Sequence, residues 1–221
     1  MRLMQMIGLA LAAAAMVTAS IGAGTAIAKR TVLCHKNEAV CAKANTYSAS
    51  EFATELTGYV GEKGTFVELE LPKVAVLGCT NAKLGTRLKQ TAEGPMVGEG
   101  NRWPFFAPCS PASCSITTSP ETPVGYPSEL EAVGGGNGQL RVSNPVLVGS
   151  CTKLPTLFEC RYTTATMKFT VTGGGEKAGE HAYISTTAPL TLKSGFNCTA
   201  TATYRAKFEV YEPGSSVYVT N

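Results

Sequence analysis

Eight cysteines, Cys34, Cys41, Cys79, Cys109, Cys114, Cys151, Cys160 and Cys198, are spread through this chain of 221 residues, all of them beyond an N-terminal segment ordered like an export signal. An even set of cysteines behind such a segment predicts four disulfides made in an oxidising compartment, so the fold must bring these positions together in pairs. The segment runs from Arg2 through an apolar stretch, about Met6 to Val17, to Ala26-Ile27-Ala28 and then Lys29. That order predicts a signal peptide over 1–28 and a mature chain from Lys29. An uncleaved anchor fits less well, because the stretch is dominated by alanine and Lys29-Arg30 falls on the wrong side for the positive-inside preference. Lipidation at Cys34 is disfavoured by Thr31-Val32-Leu33, where small residues would be needed. No later stretch is apolar over the roughly 20 residues of a membrane helix. The expectation is a secreted protein, extracellular or at the cell surface, with no stable membrane insertion after cleavage.

Cleavage leaves 193 residues carrying 18 basic and 16 acidic side chains. So even a balance argues against nucleic acid as a partner. The length suits a single domain over 29–221 that buries its own core, with each disulfide adding roughly 2–4 kcal/mol of reinforcement.

Alternation of apolar and polar residues predicts the elements. From Cys198 to Val210, Ala200, Ala202, Tyr204, Ala206, Phe208 and Val210 alternate with threonines and charged residues, the pattern of a long strand with one buried face. Arg161 to Thr172 repeats it, as does Ile184 to Leu192, where Pro189 suggests an edge position. Further strands are expected at Thr65 to Leu71, Lys73 to Cys79, Gln139 to Val148 and Val217 to Val219, with glycine clusters at 134–138 and 173–175 as connections. Residues 48–57 fit either a helix behind the Ser48-Ala49-Ser50-Glu51 capping box or a strand, and we favour the strand. Six prolines make Trp103 to Pro127 largely irregular, apart from a short strand near Cys114 to Thr117. That stretch could divide the chain, but it also reads as an excursion within one domain. The pattern predicts an all-β fold, an antiparallel sandwich or, alternatively, a barrel-like arrangement.

Pairing of the cysteines does not follow from sequence, since eight allow 105 connectivities. Local spacing favours Cys34 with Cys41, Cys109 with Cys114 and Cys151 with Cys160, leaving Cys79 for Cys198. With no Cys-x-x-Cys, neither metal ligation nor redox chemistry is expected. No cofactor is implied.

The signal, the early Cys34 to Cys41 loop, the strand ending at Cys79, the two later cysteine pairs and the closing Val217-Tyr218-Val219 strand together resemble a group of secreted, cysteine-rich β proteins of soil actinobacteria. The resemblance rests on spacing and texture across most of the mature chain. It implies an exported β protein, and it supplies no functional residue.

The chain contains no aspartate. A Ser-His-Asp triad and Asp-based calcium loops are therefore excluded. The histidines, His35 and His181, accompany no Gly-x-Ser-x-Gly elbow and read as solvated loop residues. Glu68 with Glu70, and Glu129 with Glu131, are the carboxylate pairs that could hydrolyse a glycosidic bond, since i, i+2 neighbours on a strand stand roughly 7 Å apart. They also fit an ordinary wet sheet face. Trp103, Phe105 and Phe106 form an aromatic cluster that could stack on sugars or anchor a protein, or plug the end of the core. Threonine rows at Thr199, Thr201, Thr203 and at Thr164, Thr166, Thr170 invite an ice- or polysaccharide-matching array, though Lys168 and Arg205 interrupt them. Asn197-Cys198-Thr199 has the form of a glycosylation sequon. We expect a non-catalytic binding or structural module, its partner a cell-wall glycan or an extracellular protein. A glutamate-dependent glycoside hydrolase is the alternative, and an inhibitor presenting Ser110 and Ala112 between Cys109 and Cys114 is a third.

Overall fold

The computed structural model describes residues 30–47, 54–60, 66–80, 82–98, 109–118, 126–153, 157–174, 181–212 and 216–220, without the side chains of 54–60 and 211–212. The strands are β1 (Val32–Cys34), β2 (Thr54–Val60), β3 (Phe66–Leu71), β4 (Ala75–Cys79), β5 (Ala82–Lys89), β6 (Met96–Gly98), β7 (Cys109–Ser110) and β8 (Cys114–Thr118), then β9 (Ser128–Gly134), β10 (Asn137–Ser143), β11 (Val146–Cys151), β12 (Phe158–Thr163), β13 (Thr166–Thr172), β14 (Tyr183–Phe196), β15 (Thr201–Glu212) and β16 (Tyr218–Thr220). The one helical element among the described residues is a 3₁₀ turn at Lys43–Asn45. The all-β, antiparallel expectation holds.

Two long strands organise the molecule. β14 and β15 pair from Tyr183 with Glu209 to Thr191 with Thr201, and each then offers its other edge to two partners in succession. β15 takes β3 and then β2, while β14 takes β13 and then β12. Followed through one set of partners, the pairings run β14, β15, β2, β5, β6, β9, β10, β13 and back to β14. Through the other set, β14–β12–β11–β8 lies against β15–β3–β4–β7 and ends on two edges that no described strand pairs with, so the sheet as a whole is sandwich-like and not closed into a barrel. The layers of this second lobe approach closely at Gly149 of β11, where a Cβ would stand 2.7 Å from Leu69 and 3.3 Å from Leu77. One apolar cluster, including Leu69, Phe158, Tyr162, Phe169, Tyr204 and Phe208, runs through both lobes.

Local sequence explains where the strands break. Gln139 to Val148 is two strands rather than one, because Asn144 adopts a left-handed φ of 48° and Pro145 has no amide hydrogen to continue the ladder. Arg161 to Thr172 is likewise divided, and the inward phase shifts from Cys160 and Tyr162 to Met167, Phe169 and Val171 across an exposed Ala165. β15 begins at Thr201 rather than Cys198, after Asn197 at φ 55°. Pro189 is not on an edge strand. It pairs with Thr203 on one side, and on the other it falls in the gap after β13 leaves at Ser185 and before β12 joins at Thr191. Gly135 and Gly136, at φ 62° and 77°, form the two-residue turn between β9 and β10 that matches the strand twist. Of the ambiguous 48–57 segment, 54–57 are strand and 48–53 lie outside the described residues, as does the signal region 1–28. Within 103–127, the expected strand near Cys114 is present as β8.

β1 and β16 pair with each other and cover the β9–β10 turn, where the Val219 amide donates to the Gly136 carbonyl at 2.9 Å. Tyr47 ties the first loop to this end by donating its hydroxyl to the Ser216 carbonyl at 2.9 Å.

Three of the four expected disulfides are replaced. Cys34 does bond Cys41, but the others are Cys79 to Cys109, Cys114 to Cys151 and Cys160 to Cys198, with no free cysteine. Strand register decides the exchange. Cys109 lies directly opposite Cys79 across β4 and β7, and Cys114 directly opposite Cys151 across β8 and β11. In the β11–β12 hairpin, Cys151 faces Phe158 and Cys160 faces Gly149, an offset of two residues that leaves Cys160 for Cys198.

Tyr204 is fully buried, and its hydroxyl has no hydrogen-bond partner among the described residues. Burial pushes its phenol well above the ordinary value. Tyr204→Phe removes a desolvated group without losing a bond, so a gain of about 0.5–1.5 kcal/mol is expected from urea unfolding. A loss of similar size would show that the hydroxyl is satisfied.

Candidate functional site

On the outer face of the sheet, alternation turns Phe169, Val171, Ile184, Phe208 and Val67 inward and leaves their neighbours facing solvent. Register then lines up Thr170 with Ser185, Ser185 with Lys207 and Lys207 with Phe66, a row across β13, β14, β15 and β3. Three interstrand steps make this row about 14 Å long. Phe66 is 43% exposed at its end. Together with Lys168 and Thr187, these residues line an open groove of about 400 Å³. Its floor is formed where β14 parts from β13. There Thr186, largely buried, donates its hydroxyl to the Lys168 carbonyl at 2.7 Å and so satisfies an acceptor that the missing ladder leaves free.

Charge on this face is mostly compensated. The Arg205 Nη1 donates to Glu68 Oε1 and to Glu70 Oε2, both at 2.7 Å, and the carboxylates of Glu70 and Glu68 raise the guanidinium further above its ordinary value. Glu131 meets Arg141 at 2.8 Å. The His181 Nδ1 lies 2.9 Å from the largely buried carboxylate of Glu209. Lys168 and Lys207 have no carboxylate partner among the described residues. The Lys207 ammonium instead stands 4.1 Å from the centroid of the Tyr183 ring.

The residues singled out from sequence fall in different places. Trp103, Phe105 and Phe106 lie outside the described residues. Glu68 and Glu70 share one face as expected, but one guanidinium holds both. Glu129 and Glu131 also lie on an extended strand, on an outer face with Arg141 opposite Glu129. Neither pair flanks a cleft among the described residues. His35 is exposed and stacks on Tyr47, with ring centroids 3.6 Å apart. No hydroxyl or thiol nucleophile is hydrogen-bonded to either histidine among the described residues.

The remaining candidates are engaged structurally. Cys34, Glu38 and Cys41 lie close enough to hold a metal, but the two sulfurs are bonded to each other. The Glu38 carboxylate accepts from the Ala42 amide at 3.0 Å and the Asn45 side chain at 2.6 Å. The threonine rows do not form a flat array, since the Thr199 hydroxyl turns back to the Thr201 carbonyl at 2.6 Å and Thr164 lies between strands. In the sequon, the Asn197 amide is committed to the Leu157 carbonyl at 3.0 Å and Cys198 to its disulfide. Residues 110–113 remain an exposed turn, though the cysteines at its two ends are bonded to β4 and β11 rather than to each other.

The groove was not anticipated. Phe66, Lys168, Ser185 and Lys207 belong to four strands, and only an aromatic residue opening an otherwise polar strand face hinted at it. No protein-family model matches the chain, and neither a curated protein nor a solved structure shows significant similarity to it.

Proposed function

We propose that this protein is a non-catalytic binding module, exported to an oxidising compartment, that engages an extended glycan through the outer face around Phe66. The observation that carries this reading is the groove itself, an aromatic ring and a row of hydroxyls on a face whose carboxylates are largely tied to cations. An exposed aromatic ring offers a flat apolar surface to a sugar, and hydroxyls at strand spacing supply donors and acceptors along it. Ladder pairing from β13 through β14 and β15 to β3 and a shared core hold the four strands in fixed relation, which limits the ordering cost of binding. Exclusively bonded cysteines also suit a compartment outside the reducing cytosol. Among the described residues, no helix is long and apolar enough to cross a membrane.

The test is a pull-down of the oxidised protein on cell-wall and polysaccharide matrices. Phe66→Ala is expected to lower affinity about tenfold, the worth of one aromatic contact. Trp103→Ala in the same assay separates the groove from the aromatic residues Trp103, Phe105 and Phe106. Retention that survives Phe66→Ala and vanishes with Trp103→Ala would remove the groove from the reading.

A further inference from the structure

Resting on the binding reading above, we propose that the groove takes an acidic polysaccharide whose sugar rings carry carboxylates. Lys168 and Lys207 are the reason. Each lines the groove, and neither has a carboxylate partner among the described residues. The neighbouring cations are already neutralised, Arg205 by Glu68 and Glu70, Arg141 by Glu131, and His181 sits against Glu209. An arriving anion therefore meets two ammonium groups that no carboxylate of the described residues compensates. Glu129, two strands from Lys168 across Arg141, forms no ion pair among the described residues, and it stands outside the groove lining.

The rest of the lining suits a sugar chain rather than a small inorganic anion. Thr170, Ser185 and Thr187 present hydroxyls, and Phe66 ends the row with an apolar ring. Lysines are compact point charges on flexible stems, suited to single carboxylates spaced along a polymer. Arginine forks, which favour bidentate binding of one phosphate, are absent from the groove lining. The Lys207 ammonium is steadied over the Tyr183 ring, beside the row.

Affinity electrophoresis of the oxidised protein through gels containing polygalacturonate, hyaluronan, dextran sulfate or neutral dextran tests this. Retardation is expected in the two carboxylated polymers, weakening about tenfold or more between about 0.05 and about 0.5 M salt as charges are screened. The double variant Lys168→Gln/Lys207→Gln should lose about tenfold in affinity, while Lys36→Gln, an exposed lysine beyond β1, should lose none. Equal, salt-insensitive retardation in neutral dextran would overturn the acidic ligand while leaving the groove a glycan site. Retardation by dextran sulfate alone would overturn the carboxylate assignment. Equal losses in the double variant and in Lys36→Gln would overturn the role of the two lysines, and no retardation in any gel would overturn the binding reading together with this one.

Discussion

Gly195→Ala is expected to cost about 3 kcal/mol, the upper end of the usual cost of forcing atoms into occupied space. Gly195 lies at φ 144°, a conformation that side-chain-bearing residues rarely adopt, directly opposite Cys160. A Cβ there would run into the Glu159 carbonyl oxygen and meet the Cys198 sulfur at 2.6 Å and the Cys160 Cα at 2.9 Å. None of these can swing away, since two are backbone atoms and the third is held in a disulfide. The register between β12 and β14 slips beside this point, where Tyr162 pairs with Leu192 and Arg161 with Ser194, so the chain is already bent around Lys193. The predicted loss should appear as a melting point lower by about 10 °C in a chain of this size, with Cys160 and Cys198 partly mispaired or free. Gly78→Ala is the control, because nothing lies within 4 Å of its Cβ position, and it should change stability by less than about 0.5 kcal/mol. Equal melting points for the two variants would refute the packing argument.

Removing the Cys114 to Cys151 bridge should cost roughly 4 kcal/mol, whereas removing Cys34 to Cys41 should cost about 2.4 kcal/mol. The difference follows from loop length, with separations of 37 and 7 residues, because the longer loop restricts the unfolded chain more. Burial acts in the same direction, for Cys114 and Cys151 are both in the core and their replacement by alanine leaves space there. There is also a consequence for assembly. β8 and β7 are the two ends of the sheet, and the bridges to β11 and β4 pin these short edges in place. An edge released by Cys114→Ala/Cys151→Ala is free to pair with another chain, so a concentration-dependent increase in aggregation should accompany the lost stability. Urea unfolding of the two double variants, with light scattering, checks both. Digestion without reduction should yield linked peptides for 34–41, 79–109, 114–151 and 160–198, and a 151–160 link would contradict the register.

Much of the architecture was legible because period-two alternation is a direct imprint of one buried face. The segments at Phe66–Leu71, Tyr183–Phe196 and Thr201–Glu212 show it plainly, and their inward residues are the core. Alternation does not reveal which strand lies beside which. Pro189 illustrates the limit, since a missing amide hydrogen is tolerated at an edge or facing a gap, and only the separation of β12 from β13 tells these apart. The carboxylates show the same limit. Glu68 and Glu70 were correctly placed on one face, but Arg205, more than a hundred residues later, decides that they serve as a clamp.

The sequence by itself determined an all-β chain with a period-two core, an even set of cysteines suited to oxidation, and, lacking aspartate, a narrow range of acid chemistry. Only the tertiary structure decided which cysteines meet and which side chains share the groove. The physical reason is the same in both cases. Sequence spacing governs contacts within a strand, but a disulfide or a binding row crosses strands, and its members are chosen by register, where a shift of two residues sends Cys160 to Cys198 and gives Cys151 to Cys114.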